Sequence, residues 1–137
     1  MHRGRLLMLV ATAILATACS LSVQVGATTT TLRGEGFTLA DLVGEWENRE
    51  LVMQVGDDGQ YVVHEAANEE PSDPLMSGFV ARDGEELNFV TDIYGECAGE
   101  TGVYEVLMSE GQLILILVDD PCEFRSDRFV DPWESSG

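Results

Sequence analysis

From Leu42 onward the chain contains no apolar run long enough to make a helix, because a turn signal interrupts every one of them. Gly56-Asp57-Asp58-Gly59, Asp83-Gly84 and Glu110-Gly111 are tight-turn sequences. Between the breaks lie eight short runs, approximately 42–47, 51–55, 60–66, 78–82, 85–91, 102–108, 112–118 and 127–130. Runs of this length, rich in Val, Ile, Leu, Tyr and Phe, read as β-strands. Connections this short can join only antiparallel neighbours, so the strands form a meander. Thr38-Leu39-Ala40-Asp41 is the one helical signal, a capping-box-like turn ahead of the first strand.

Alternation shows which strands have one wet face. Gly44 and Trp46 oppose Glu45 and Glu47; Leu87 and Phe89 oppose Glu86 and Asn88; Tyr104, Val106 and Met108 oppose Glu105. Leu113 to Val118 is apolar on both faces, so its outer side needs a cover: the tail around Trp133, the segment ahead of the domain, or another protein. About eight antiparallel strands with short connections favour an all-β, up-and-down barrel, since closure removes exposed edges. A two-sheet β-sandwich is the alternative that periodicity leaves open.

The N-terminus is of a different kind. His2, Arg3 and Arg5 precede an uncharged apolar run, Leu6 to Leu15, followed by the small residues Ala16-Thr17-Ala18 and then Cys19. This order predicts a signal peptide over residues 1–18. The run falls short of the roughly 20 apolar residues a spanning helix requires. Leu15-Ala16-Thr17-Ala18-Cys19 resembles the lipobox of bacterial lipoproteins, with Leu one place before the family's usual position. The resemblance implies lipidation at Cys19 by a diacylglycerol thioether, with palmitate or a similar chain. It also implies anchorage to the outer face of the cytoplasmic membrane, or to an outer membrane where the host has one. Residues 19–36, rich in Thr, Ser and Gly, then read as a flexible tether, and residues 37–137 as a single domain.

The chain has three cysteines. Lipid on Cys19 leaves Cys97 and Cys122 as a pair, and exported proteins form such bridges readily. Closing a loop of about 25 residues would be worth roughly 3–4 kcal/mol in the chain-entropy model. A domain of this size has a small core, so such a bridge matters to it.

Charge narrows the partners. Without Arg3 and Arg5, five arginines face 25 carboxylates, and there is no lysine. Such a surface excludes nucleic acid as a partner. Anionic headgroups would repel it too, so membrane attachment rests on the lipid.

The order of several motifs suggests a relative. A helical turn, then Gly44-Glu45-Trp46 on the first strand, then a meander resembles lipocalin-like proteins. Cys97, Gly102-Val103-Tyr104-Glu105-Val106, Asp120-Pro121-Cys122 and Arg125 are similar in order to small exported bacterial lipocalin-like proteins. The resemblance implies a barrel closed at one end by Trp46 with an arginine packed over it, Arg125 or Arg128. It also implies a small apolar or amphipathic ligand inside, with Phe79, Phe89 and Met108 on the lining. The chain lacks the helix that follows the family's barrel and is shorter, and a short barrel is readily filled by its own side chains.

Catalytic and metal signals are weak. His64-Glu65-Ala66-Ala67 lacks the second histidine of a zinc-protease helix, there is no G-x-S-x-G, and no glycine-rich loop precedes a helix. Asp57-Asp58-Gly59 is explained by a turn, and Asp119-Asp120 is a slightly better cation candidate. The expected function is therefore non-enzymatic, without cofactor or metal: a ligand-binding barrel, or a filled barrel that binds an envelope protein through its surface, for which Leu113 to Val118 is the candidate strand. If Cys19 is the anchor, radioactive palmitate fed to an expressing bacterium labels the wild-type chain and leaves Cys19→Ala unlabelled. An unlabelled wild type overturns the anchor.

Overall fold

A computed structural model describes residues 32–33, 36–66 and 73–137. The residues expected to form a signal peptide, Cys19 and most of the segment expected to be a tether lie outside the described residues. The elements run β1 (Leu32–Arg33), α1 (Leu39–Leu42), β2 (Gly44–Glu47), β3 (Leu51–Val55), β4 (Gln60–Glu65), β5 (Met76–Asp83), β6 (Glu86–Gly95), β7 (Thr101–Ser109), β8 (Gln112–Asp119), α2 (Glu123–Phe129) and β9 (Trp133–Ser135).

Strands β2 to β9 form a closed eight-stranded antiparallel barrel. Each pairs with its sequence neighbour, and β9 pairs with both β8 and β2. The all-β up-and-down expectation holds, and the sandwich is excluded by this closure. β1 adds to β7 beside Leu107 and Met108, past the point where β6 stops pairing. The sheet thus takes in two residues of the tether segment.

The eighth strand lies elsewhere than the sequence suggests. Residues 127–130 belong to the end of α2 and its cap, and Trp133–Ser135 makes the closing strand. Arg125 and Phe129 stand four apart and are both buried, the spacing of one helix face, so packing favours helix over the local apolar pair Phe129-Val130. Glu123 in the first turn and Arg128 in the last suit the helix dipole.

Alternation in β3, β4 and β5 turns Leu51, Met53, Val55, Tyr61, Val63, Met76, Gly78 and Val80 inward. Gly78 is required where β5 and β6 bulge past each other, since a Cβ there would lie 2.0 Å from the Val90 carbonyl oxygen. α1 closes one end of the barrel. Its capping box is formed, with the Asp41 carboxylate accepting from the Thr38 N–H at 2.7 Å, and Leu42 is fully buried. The indole N–H of Trp46 donates to the Leu42 carbonyl at 2.8 Å.

α2 closes the other end. Cys122 at its start is disulfide-bonded to Cys97 in the β6–β7 loop, with Cα atoms 5.3 Å apart. The Asn48 amide, in the β2–β3 turn, donates to the Arg128 carbonyl at 3.0 Å, and its oxygen accepts from the N–H groups of Glu50 and Leu51.

Between these caps, Phe89 meets Tyr61, Tyr104 and Phe129 edge-on, with centroids 5.3–5.8 Å apart, and Phe129 meets Trp133 at 5.4 Å. Contacts of this geometry add about 0.5–1.5 kcal/mol each beyond burial. The interior and exterior positions are expected to separate cleanly in urea melts. Phe129→Ala loses about 3–5 kcal/mol, whereas Phe79→Ala, on the outer face, changes stability by about 0.5 kcal/mol or less.

Candidate interaction surface

The residues expected to line a cavity separate into three situations. Phe89 is in the centre of the core with no exposed surface. Met108 is half-buried at the rim and borders an outer groove of about 460 Å³ next to Val43 and Trp46. Phe79 points outward and is 49% exposed; because Gly78 and Val80 face the core, alternation puts Phe79 on the wet face, and its place on the lining is corrected.

Tyr61, Phe89, Tyr104, Phe129, Trp133, Met53, Val63 and Leu87 have no accessible surface. A water-sized sphere therefore fits against none of them, from outside or from within. The interior at these positions is filled by side chains.

Arg125 takes a different partner from the one expected. Its guanidinium forks onto the Asp120 carboxylate, Nε to Oδ2 at 2.6 Å and Nη2 to Oδ1 at 2.9 Å. Nη1 donates to the Thr91 hydroxyl at 2.6 Å and to the Phe89 carbonyl at 3.2 Å. With its donors so engaged at the α2 end, Arg125 does not close over Trp46, whose indole N–H is held at the α1 end. Arg128 packs 4.1 Å from the Phe124 ring centroid and pairs with Glu50 at 3.0 Å.

The Asp120 network is one that the sequence reading did not assemble. Tyr104 donates its hydroxyl to Asp120 at 2.5 Å, the Cys122 N–H donates to the same carboxylate at 2.9 Å, and Tyr61 shares a hydrogen bond with Thr91 at 2.8 Å. Gly102 makes room for it, since a Cβ there would lie 2.3 Å from Asp120 Oδ2. Burial alone would raise the Asp120 carboxyl, but Arg125, Tyr104 and the Cys122 N–H together hold it below the usual carboxylate range. Burial, then the adjacent carboxylate, push the Tyr104 phenol upward, so it stays protonated as a donor.

These contacts occupy both Asp120 oxygens, which removes Asp120 from any calcium pair with Asp119. Cys97, Glu100 and Cys122 lie close enough for a metal, but both sulfurs are spent in the disulfide. His64 stands on the outer face of β4 beside Val62, while Tyr61 and Val63 turn inward.

With interior and lock accounted for, the outer wall carries the remaining apolar surface. Phe79 and Val90 are register partners on β5 and β6, and both are exposed. Ile93 and Tyr94 at the end of β6 are 74% and 78% exposed. On β8, Ile116, Leu117 and Val118 are 37%, 43% and 48% exposed. Comparison with protein-family models, with curated proteins and with solved structures gives no match.

Asp120→Asn leaves a buried guanidinium without its counter-charge and is expected to cost about 3–5 kcal/mol at neutral pH. The folded-state pKa of Asp120 is depressed, so its contribution is present above the unfolded value of about 3.9 and disappears as pH falls through the folded value. Urea melts from neutral pH downward therefore show a loss of stability below about pH 4 in the wild type that is reduced in the variant. Equal slopes in both would remove Asp120 from the lock.

Proposed function

We propose that this chain is an exported lipoprotein, anchored through Cys19, whose lipocalin-like barrel is a filled, non-enzymatic interaction module that engages an envelope protein through its outer wall. The observation that carries this reading is the interior. Five aromatic side chains, Tyr61, Phe89, Tyr104, Phe129 and Trp133, occupy the space a ligand would need, and none has accessible surface.

The chemistry around the core supports the same reading. The polar groups gathered inside, Asp120, Arg125, Thr91, Tyr61 and Tyr104, satisfy one another and fasten α2, leaving none directed at a substrate. Apolar surface that a monomer has no use for is instead on the outside, on β5, β6 and β8. The lipid would hold that surface near envelope partners, and the tether would let it reach them.

Native mass spectrometry of the full chain, exported by a bacterial host and extracted in mild detergent, tests the reading. The expected mass is that of the lipidated chain alone. A small molecule retained in stoichiometric amount would overturn the filled barrel and favour a ligand carrier.

A further inference from the structure

The closing strand β9 is only three residues long and pairs with β8 at Gln112 and Leu113 alone. From Ile114 to Asp119, β8 has its β7 partner on one side and, among the described residues, no ladder partner on the other. In an antiparallel ladder alternate residues direct their N–H and C=O groups to opposite sides, so part of this stretch presents unpaired backbone groups. Ile114-Leu115-Ile116-Leu117-Val118 contains no lysine, proline or charge to blunt the edge, and the ladder to β7 is regular from Ile114 to Leu117, with a bulge only at Val118, where the register steps from Leu117 to Asp119. Leu117 shares the inward side with Leu113 and Leu115 yet is 43% exposed, because the wall stops beside it.

The surroundings of this edge are acidic. Glu105 is the register partner of Ile116, Asp119 ends β8, and Glu134 of β9 pairs with both Gln112 and Glu47. The ion pairs among the described residues are Asp120–Arg125 and Glu50–Arg128, so those four carboxylates have no cation of their own there. A second copy of the chain would bring the same carboxylates against them.

We propose that β8 accepts a strand from a partner: an extended, alternately apolar segment flanked by arginine or lysine, which continues the sheet along Ile114 to Val118. Backbone pairing supplies the contact, Ile114 and Ile116, in regular register on one face, meet the alternate side chains, and the flanking cations meet the carboxylate rim. The proposal rests on the interaction-module reading and names the chemistry of the partner.

The test uses the full detergent-extracted chain and a fluorescein-labelled probe peptide of alternating valine and threonine with paired arginines at each end. Fluorescence anisotropy is expected to show saturable binding. Affinity falls about tenfold or more when alternate peptide amides are N-methylated and when the arginines are replaced by glutamate. It falls similarly in Val118→Lys, whose urea midpoint stays unchanged because the site is exposed, and it weakens as salt is raised from about 0.15 M to 0.5 M. The N-methylated probe on wild-type protein keeps the test decisive should the variant fold poorly.

Absence of binding overturns the proposal, as does equal binding of the N-methylated or the glutamate-flanked peptide. A wild-type dimer that Val118→Lys dissociates would also overturn it and assign the edge to a second copy. A bare chain mass with no peptide binding removes strand addition and leaves the interaction module standing, whereas a retained small molecule removes the module itself.

Discussion

The structure depends on how a seven-strand meander finds its eighth strand. Strands β2 to β8 curl far enough to need only a narrow closing piece, and Trp133–Ser135 supplies it by pairing with β8 on one side and β2 on the other. A segment of three residues cannot hold that position through its ladder alone. Trp133 is held from within, fully buried, its indole N–H donating to the Phe129 carbonyl at 3.0 Å and its ring against that of Phe129. The closure is therefore a packing event as much as a hydrogen-bonding one.

That makes α2 the piece on which closure turns. The helix must leave the end of β8, cross the mouth of the barrel and deliver Trp133 near the start of β8. The Cys97–Cys122 bridge ties its beginning to the β6–β7 loop, and Asn48 ties its end to the β2–β3 turn. Between them Arg125 reaches inward to Asp120, Thr91 and the Phe89 carbonyl. A buried ion pair contributes little net stability over an apolar substitute of the same shape. What it contributes here is direction: a fork on a carboxylate that also accepts from Tyr104 and from the Cys122 N–H allows one orientation of the helix. Phe129 then enters the core at one place, and Trp133 follows.

The parts legible in the sequence are those set by local rules. Turn residues and two-residue alternation located seven of the eight barrel strands and the α1 cap, and the cysteine count pointed to the right bridge. Alternation also held the answer for Phe79, since Gly78 and Val80 on either side of it face the core. The misplaced eighth strand has a signal as well: Cys122, Arg125 and Phe129 recur at three and four, a helix spacing, while the adjacent apolar pair at 129–130 suggests a strand over 127–130. Asp120, Thr91, Tyr61 and Tyr104 offered no such signal. They lie on three strands and a loop, up to 59 positions apart in the chain, and only the barrel brings them together. The pairing of Arg125 with Trp46 failed for a related reason, because a guanidinium at the α2 end with a carboxylate in reach forms the charged pair in preference to a ring contact.

The short closing strand and the acidity of the domain are linked through the edge that β9 leaves uncovered. A wholly apolar edge such as Ile114 to Leu117 invites edge-to-edge pairing between copies, which proteins often prevent with a charge on the strand itself. Here the charge stands beside the strand, on Glu105, Asp119, Glu134 and Glu47, and across a chain in which 25 carboxylates outnumber seven arginines. The arrangement leaves the edge available while penalising a partner of the same charge, above all another copy of the same chain. Charge on the strand itself would oppose pairing with any partner; charge around it would, on the proposed reading, discriminate among partners and favour a positive one.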